Sequence, residues 1–292
     1  MEKAKVYFTK EITPESVIKM YETLEIELPR KVAVKLHSGE RGNQNYIRPE
    51  FVKPIVERVK GTVVECNTAY DGARDTTQKH KKLMEEHGWS KYFNVDILDS
   101  EGPDKVLEIP NGKVLKKNYV GKNIDSYNSM LVLSHFKGHP MGGYGGALKQ
   151  LSIGVASGKG KRYIHCVGKE DGSYEDMFQV DQLQFLEAMA DAASSVAKHF
   201  ENKIAYINMM CNLSVDCDCC SVAEDPCMKD IGILASLDPV AIDQACIDLI
   251  YNSKDEGRNH FIERVESRHG VHTIEAAAEL GVGTREYELI EI

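Results

Sequence analysis

Four short apolar runs, AKVYFT (4–9), KVAVKLH (31–37), GTVVEC (61–66) and YFNVDIL (92–98), punctuate the first hundred residues, and each gap between them holds one helix-period segment. That alternation constrains the fold most. Strands separated by single helices build βαβ units, and these build a mainly parallel sheet with helices on its faces. The gaps carry helix signals of their own. Thr13 followed by Pro14 reads as an N-cap and first turn, opening a helix that runs to Leu24. A second helix spans Pro49–Lys60, stopped by Gly61, and a third spans Thr76–His87.

The pattern then changes. VLEIPNGKVLKKNYV reads as a hairpin turning at Pro110-Asn111-Gly112. SMLVLSH (129–135) is apolar throughout, as a strand buried on both faces would be. A long helix follows at Asp181–Phe200, then a strand IAYINMM (204–210), a strand IGILAS (231–236) and a helix Asp238–Tyr251. Helical pieces near 257–267 and 273–280 precede a closing strand, REYELIEI. The expected fold is α/β: a mainly parallel sheet flanked by helices, with a hairpin insertion. One domain over 1–292 is expected, and two lobes around a cleft, divided near 121–135, fit the same pattern.

An apolar fraction of 42% over 292 residues supplies a substantial core. A net charge of −9 argues against a general nucleic-acid partner. No stretch of eighteen apolar residues predicts a membrane span, and the N-terminus reads as lacking a signal peptide. A cytoplasmic protein is expected.

In open α/β sheets, ligands bind outside the carboxyl ends of the strands. Five polar loops follow strands here, and all five are expected on one edge. HSGERGNQNYIRPE offers His37; CNTAYDGARDTTQKH offers Asn67 and Arg74; SLDPVAID follows the strand 231–236. The third loop, HFKGHPMGGYGGALKQLSIGVASGKGKRYIHC (135–166), contains no acidic residue. Its Gly142, Gly143, Gly145 and Gly146 allow close backbone approach and offer successive N–H groups, and Lys149 follows at a helix start. That arrangement suits a small anion such as phosphate or carboxylate. The spacing fits neither the phosphate-binding P-loop nor the dinucleotide fingerprint. His139 and His165 bracket the lysine.

The fourth loop concentrates thiols. Cys217, Cys219 and Cys220 form C-D-C-C, with Cys211 before and Cys227 after. Without an export signal the thiols are expected reduced, and clustered reduced thiols point to a metal or Fe–S centre, with a redox dithiol or buried structural cysteines as alternatives.

The segments VKLHSGERGNQNYIRPEFVKPIV, NTAYDGARDTTQKHKKLMEEHGW, HFKGHPMGGYGGALKQLSIGVASGKGK and the stretch from CDC to DIGILASLDPVAIDQACIDLI together resemble an uncharacterised Fe–S-centre protein family, domain of unknown function 362. Many members carry a ferredoxin-like insert that this chain lacks, so a cluster here would use cysteines 211–227. The glycine-rich segment also resembles that of the nickel-pincer lactate racemases. This second likeness implies Lys149 as cofactor attachment, His165 as metal ligand and His139 as acid/base, with His37 or His80 as the second acid/base histidine. The expectation is therefore a metal- or Fe–S-binding protein with a small anionic ligand and an unnamed reaction. A racemase or epimerase of a 2-hydroxy acid-like substrate, or a non-enzymatic metal or electron carrier, are the alternatives.

Overall fold

The structure, a computed structural model, describes residues 3–201 and 203–292. Its strands are β1 (Ala4–Thr9), β2 (Val32–Lys35), β3 (Thr62–Glu65), β4 (Val95–Ile97), β5 (Lys105–Glu108), β6 (Lys117–Val120), β7 (Ser129–His135), β8 (Lys137–His139), β9 (Gly143–Gly145), β10 (Ile204–Met210), β11 (Gly232–Ser236) and β12 (Tyr287–Glu291). Eight of them form one sheet in the order β12-β1-β11-β10-β7-β2-β3-β4, while β5-β6 and β8-β9 are separate two-stranded hairpins. Among the described residues of this sheet, the β1–β11 and β10–β11 pairings are antiparallel and the other five are parallel. The α/β expectation holds, with the hairpin insertion at β5–β6.

The central strands alternate between two cores, as a period of two requires. Met130 and Val132 of β7 face one cluster, with Ala190, Ala193 and Val196 of the helix Gln182–His199. Leu131 and Leu133 face the other, with Val17 and Met20 of the helix Pro14–Thr23 and Val52 and Ile55 of the helix Pro49–Val59. Each fully buried Leu contributes about 1.5–3 kcal/mol, so a strand apolar on both faces is held in register from both sides.

Caps follow the sequence closely at three helices. Thr13, Thr76 and Asp181 each accept a backbone N–H three residues on. The end of the second helix differs from expectation. Lys60, not Gly61, takes the left-handed turn, at φ 52°. Gly61 is required for packing instead, since a Cβ there would lie 2.4 Å from Val34 Cγ2.

The direction of β11 corrects one expectation. Because β11 runs antiparallel to β10, with Ser236 opposite Tyr206 and Gly232 opposite Met210, the loop Ser236–Asp238 leaves from the opposite edge. Four loops, not five, share the carboxyl edge of β2, β3, β7 and β10. The glycine-rich segment is also more regular than a loop. It contains the β8–β9 hairpin, one turn at Ala147–Lys149 continuing as a π-helical turn to Gly154, and a helix Gly158–His165 capped by Ser157.

Candidate metal and anion site

The four loops enclose a cavity of about 180 Å³. Lys35, His37, Arg74, Lys137, His139, Lys149, Lys161 and His165 all line it, with Glu65 as the one carboxylate on its wall. Of the sequence candidates, His37, Arg74, His139, Lys149, His165 and Cys219 thus meet around one space. Asn67 does not reach it: its backbone N–H donates to Asp99 and its amide to Thr77.

Most of these cations are matched beneath the cavity floor. The Lys35 ammonium, fully buried, donates to Glu65 at 2.8 Å and to Gln150 at 2.9 Å. Burial opposes the Glu65 charge, yet the neighbouring cations Lys35 and Arg74 hold its carboxyl well below the usual range. Arg74 pairs with Glu40 at 3.1 Å and donates to Tyr70 Oη at 2.8 Å. Lys137 pairs with Asp218 at 3.0 Å, and His135 Nδ1 lies 2.8 Å from the other oxygen of Asp218. Lys149 and Lys161 are different. Among the described residues neither has a carboxylate partner: Lys161 donates to the Ala156 carbonyl, and Lys149 lies 3.7 Å from Cys217 Sγ. The cavity therefore presents two cations whose charge the protein leaves unmatched by carboxylates.

The thiols divide into two groups. The metal-binding atoms of Cys217, Cys219 and His139 all lie within 4.8 Å of one another. Two ligands at about 2.3 Å on a tetrahedral metal stand about 3.8 Å apart, so a small shift closes this set around a soft ion. Cys220 adjoins Cys219, and its carbonyl accepts from Asn43. Cys211 and Cys227 are not in this cluster. Burial pushes the Cys211 thiol up to about 12, and Cys227 Sγ donates to the Leu213 carbonyl. Burial also opposes ionisation of Cys217. A thiol hydrogen bond from Cys219, with the charge of Lys149 and a hydrogen bond from His139, nevertheless holds it well below the ordinary thiol value. The Cys219 backbone N–H adds a further donor at 3.4 Å.

Ring hydrogen bonds separate the roles open to the histidines. His139 Nδ1 accepts the Gly142 and Met141 N–H groups at 2.8 and 3.2 Å. The neutral ring then carries its proton on Nε2, which makes it a donor toward the thiols, and ligation through Nε2 requires that proton to leave. His165 is arranged the opposite way. Its Nδ1 donates to the Lys161 carbonyl at 2.7 Å, leaving Nε2 as an acceptor, while the ring stacks on Phe185. Burial lowers His139 to about 4 and His165 to about 3. Burial and Arg74 likewise depress His37, whose Nδ1 accepts the Gly39 N–H. All three rings are neutral at pH 7.

The glycines act through the protein rather than as an open cradle. Gly142 donates to His139, while Gly143 and Gly145 lie opposite His139 and Lys137 in the β8–β9 ladder. The helix start beyond Gly146 already holds an anion. Asp243, from the helix Pro239–Tyr251, accepts the Ala147 and Leu148 N–H groups at 2.8 and 3.0 Å. A Cβ on Gly146 would lie 2.4 Å from Asp243 Oδ1, so only glycine admits this carboxylate. The cations that face the cavity are therefore side chains, Lys149 among them, which follows directly on this turn.

A family model for the domain of unknown function DUF362 matches residues 32–248. The chain belongs to the DUF362 family. No curated protein matches it in sequence. Among solved structures, the DUF362 chain is similar to the lactate racemase apoprotein from Thermoanaerobacterium thermosaccharolyticum, with TM-score 0.47 and 13% identity over 85% of this chain. It is also similar to a Thermotoga maritima protein, with TM-score 0.45 and 10% identity over 91% of this chain. The chain spans 58% of the length of each of these structures.

Several site residues of this DUF362 chain carried no role in the sequence reading: Lys35, Glu65, Lys137, Gln150 and Asp243. One signal was available. A lysine inside the apolar strand VAVK, and a glutamate ending TVVE on the neighbouring strand, is a matched pair of charges in positions that should be apolar. Asp243 left no such mark, because its partners, the Ala147 and Leu148 backbone and the Tyr144 and Asn208 side chains, lie 35 to 99 residues away in the chain.

Proposed function

We propose that this protein binds a small anion in the cavity, beside a soft metal ion held by the Cys217 and Cys219 thiolates. The observation that carries the reading is the pair Lys149 and Lys161, which line an enclosed space without a carboxylate partner among the described residues. A buried cation without a counter-anion, as at Lys161, is costly, and a bound anion offsets that cost; Lys149, half-buried beside the Cys217 sulfur, adds a second donor. The donor set of two thiolates suits Zn, Fe, Ni or Cu over Mg or Ca. Two protein thiolates also leave coordination positions for other ligands, as catalytic rather than structural metal sites do. The eight free cysteines support a reducing compartment.

The test uses protein purified anaerobically. Metal content is measured directly, and phosphate and acetate binding by calorimetry, in the parent and in Lys149→Ala/Lys161→Ala. Metal near one per chain, with anion binding lost only in the double variant, is the expected result. Anion affinity unchanged in the variant would remove the reading.

A second reading is a racemase or epimerase with a nickel pincer group on Lys149. It is supported by His37, His139, Lys149 and His165 lining one cavity, and by the His165 Nδ1 hydrogen bond, the usual way a ligating histidine is oriented. Intact-mass measurement of protein from cells able to make the cofactor distinguishes it: an unmodified mass removes this reading and leaves the first.

A further inference from the structure

Resting on the anion reading, we infer that the ligand is a monocyclic aromatic acid: one ring carrying a carboxylate or phosphate. The cavity lining is of two chemical kinds: the ammonium groups of Lys137, Lys149 and Lys161, and an apolar wall supplied by the segment 174–178 through Tyr174, Met177 and Phe178. Tyr174 and Phe178 are 46% and 60% exposed, and among the described residues they are the aromatic side chains left this open to solvent. Their rings meet edge to face, with centroids 5.2 Å apart. Exposed aromatic surface is costly, and here both such residues border the cavity that holds the unmatched cations. Met177, between them in sequence, is buried and anchors the same wall.

Size narrows the class. A dry cavity of about 150 Å³ accommodates benzene, so about 180 Å³ holds one ring with a small acidic group. An aliphatic acid of two or three carbons would fill the cationic wall and leave the aromatic one wet. Aromatic rings gain from edge-to-face and offset stacking beyond area alone, which Tyr174 and Phe178 are placed to supply.

The experiment measures binding of benzoate, phenyl phosphate, acetate and inorganic phosphate to the full chain, in the parent and in Tyr174→Ala/Phe178→Ala. Both residues are exposed, so the fold tolerates their loss. The parent is expected to bind the aromatic acids about tenfold or more tighter than their small counterparts, a preference of the size that stacking contacts give. The double variant should bind all four with similar weak affinity. Equal affinity for benzoate and acetate in the parent would overturn the inference while leaving the anion reading in place. A preference that survives in the double variant would overturn the role of the aromatic wall. No binding of any of the four acids would overturn both.

Discussion

Lys149 and Cys217, separated by 68 residues in the chain, bring an ammonium that lines the cavity to 3.7 Å from a sulfur of the cysteine loop. The contact joins the glycine-rich segment to the cysteine loop, so the cationic and thiol parts of the site are one electrostatic unit.

Replacing that lysine tests the unit. Lys149→Ala is expected to weaken phosphate or acetate binding at least about tenfold, the scale of one lost charge-assisted contact. Its melting temperature should stay within a few degrees, because the side chain is only half-buried. Calorimetry paired with a thermal melt checks both. A variant that melts far lower would make Lys149 a structural residue rather than a binding one.

The cysteines should separate into two sets. Cys217→Ser and Cys219→Ser are each expected to lower bound metal to a small fraction of the parent after anaerobic reconstitution. Cys211→Ser and Cys227→Ser, whose thiols lie outside the cluster, should leave the stoichiometry unchanged. Elemental analysis decides, and loss of metal in the second set would place the centre elsewhere.

Asp243 gives a pH signature. Burial raises its carboxyl from 3.8 to about 6, despite hydrogen bonds from Leu148, Asn208, Ala147 and Tyr144. In the folded state it therefore keeps its proton over a pH range in which the unfolded chain has lost it. The folded state binds more protons between about pH 4 and 6, so this residue's contribution to stability falls as pH rises through that window, by at most about 3 kcal/mol. Asp243→Asn has no such proton and turns an amide donor toward backbone donors, so it should be destabilised at every pH. The deficit relative to the parent should be largest near pH 4 and shrink toward pH 7. Urea unfolding across that range would contradict this if the deficit grew with pH.

Lys35 and Glu65 should behave as a pair. Both are buried and 2.8 Å apart. Lys35→Met leaves the carboxylate with Arg74 at 4.0 Å as its nearest remaining salt-bridge partner, and is expected to cost about 3–5 kcal/mol. Lys35→Met/Glu65→Leu should recover at least about 1 kcal/mol relative to the summed single variants. Additive losses in denaturant unfolding would show that the two charges are stabilised independently.

Local signals made much of this molecule legible in advance. Period-two and helix-period patterns placed the strands of the main sheet and the long helices, because each depends on contacts within a few residues or on burial of a repeating face. Thr13 was readable as a cap for the same reason, and Thr76 and Asp181 as helix starts. The convergence of His37, Arg74, His139, Lys149, His165 and Cys219 followed in outline from parallel topology, since loops after parallel strands emerge on one edge. Strand direction was not readable. The sequence IGILAS is equally compatible with parallel and antiparallel pairing, and only the neighbours β1 and β10 set its course, moving the loop after it to the far edge. The glycine-rich turn shows the same limit at atomic scale. Its residues announced an anion at a helix start, but the anion there is Asp243, a carboxylate supplied by a helix nearly a hundred residues later. Which hydrogen-bond donors remain free for a ligand depends on every group that packs against them, and that is decided only when the chain has folded.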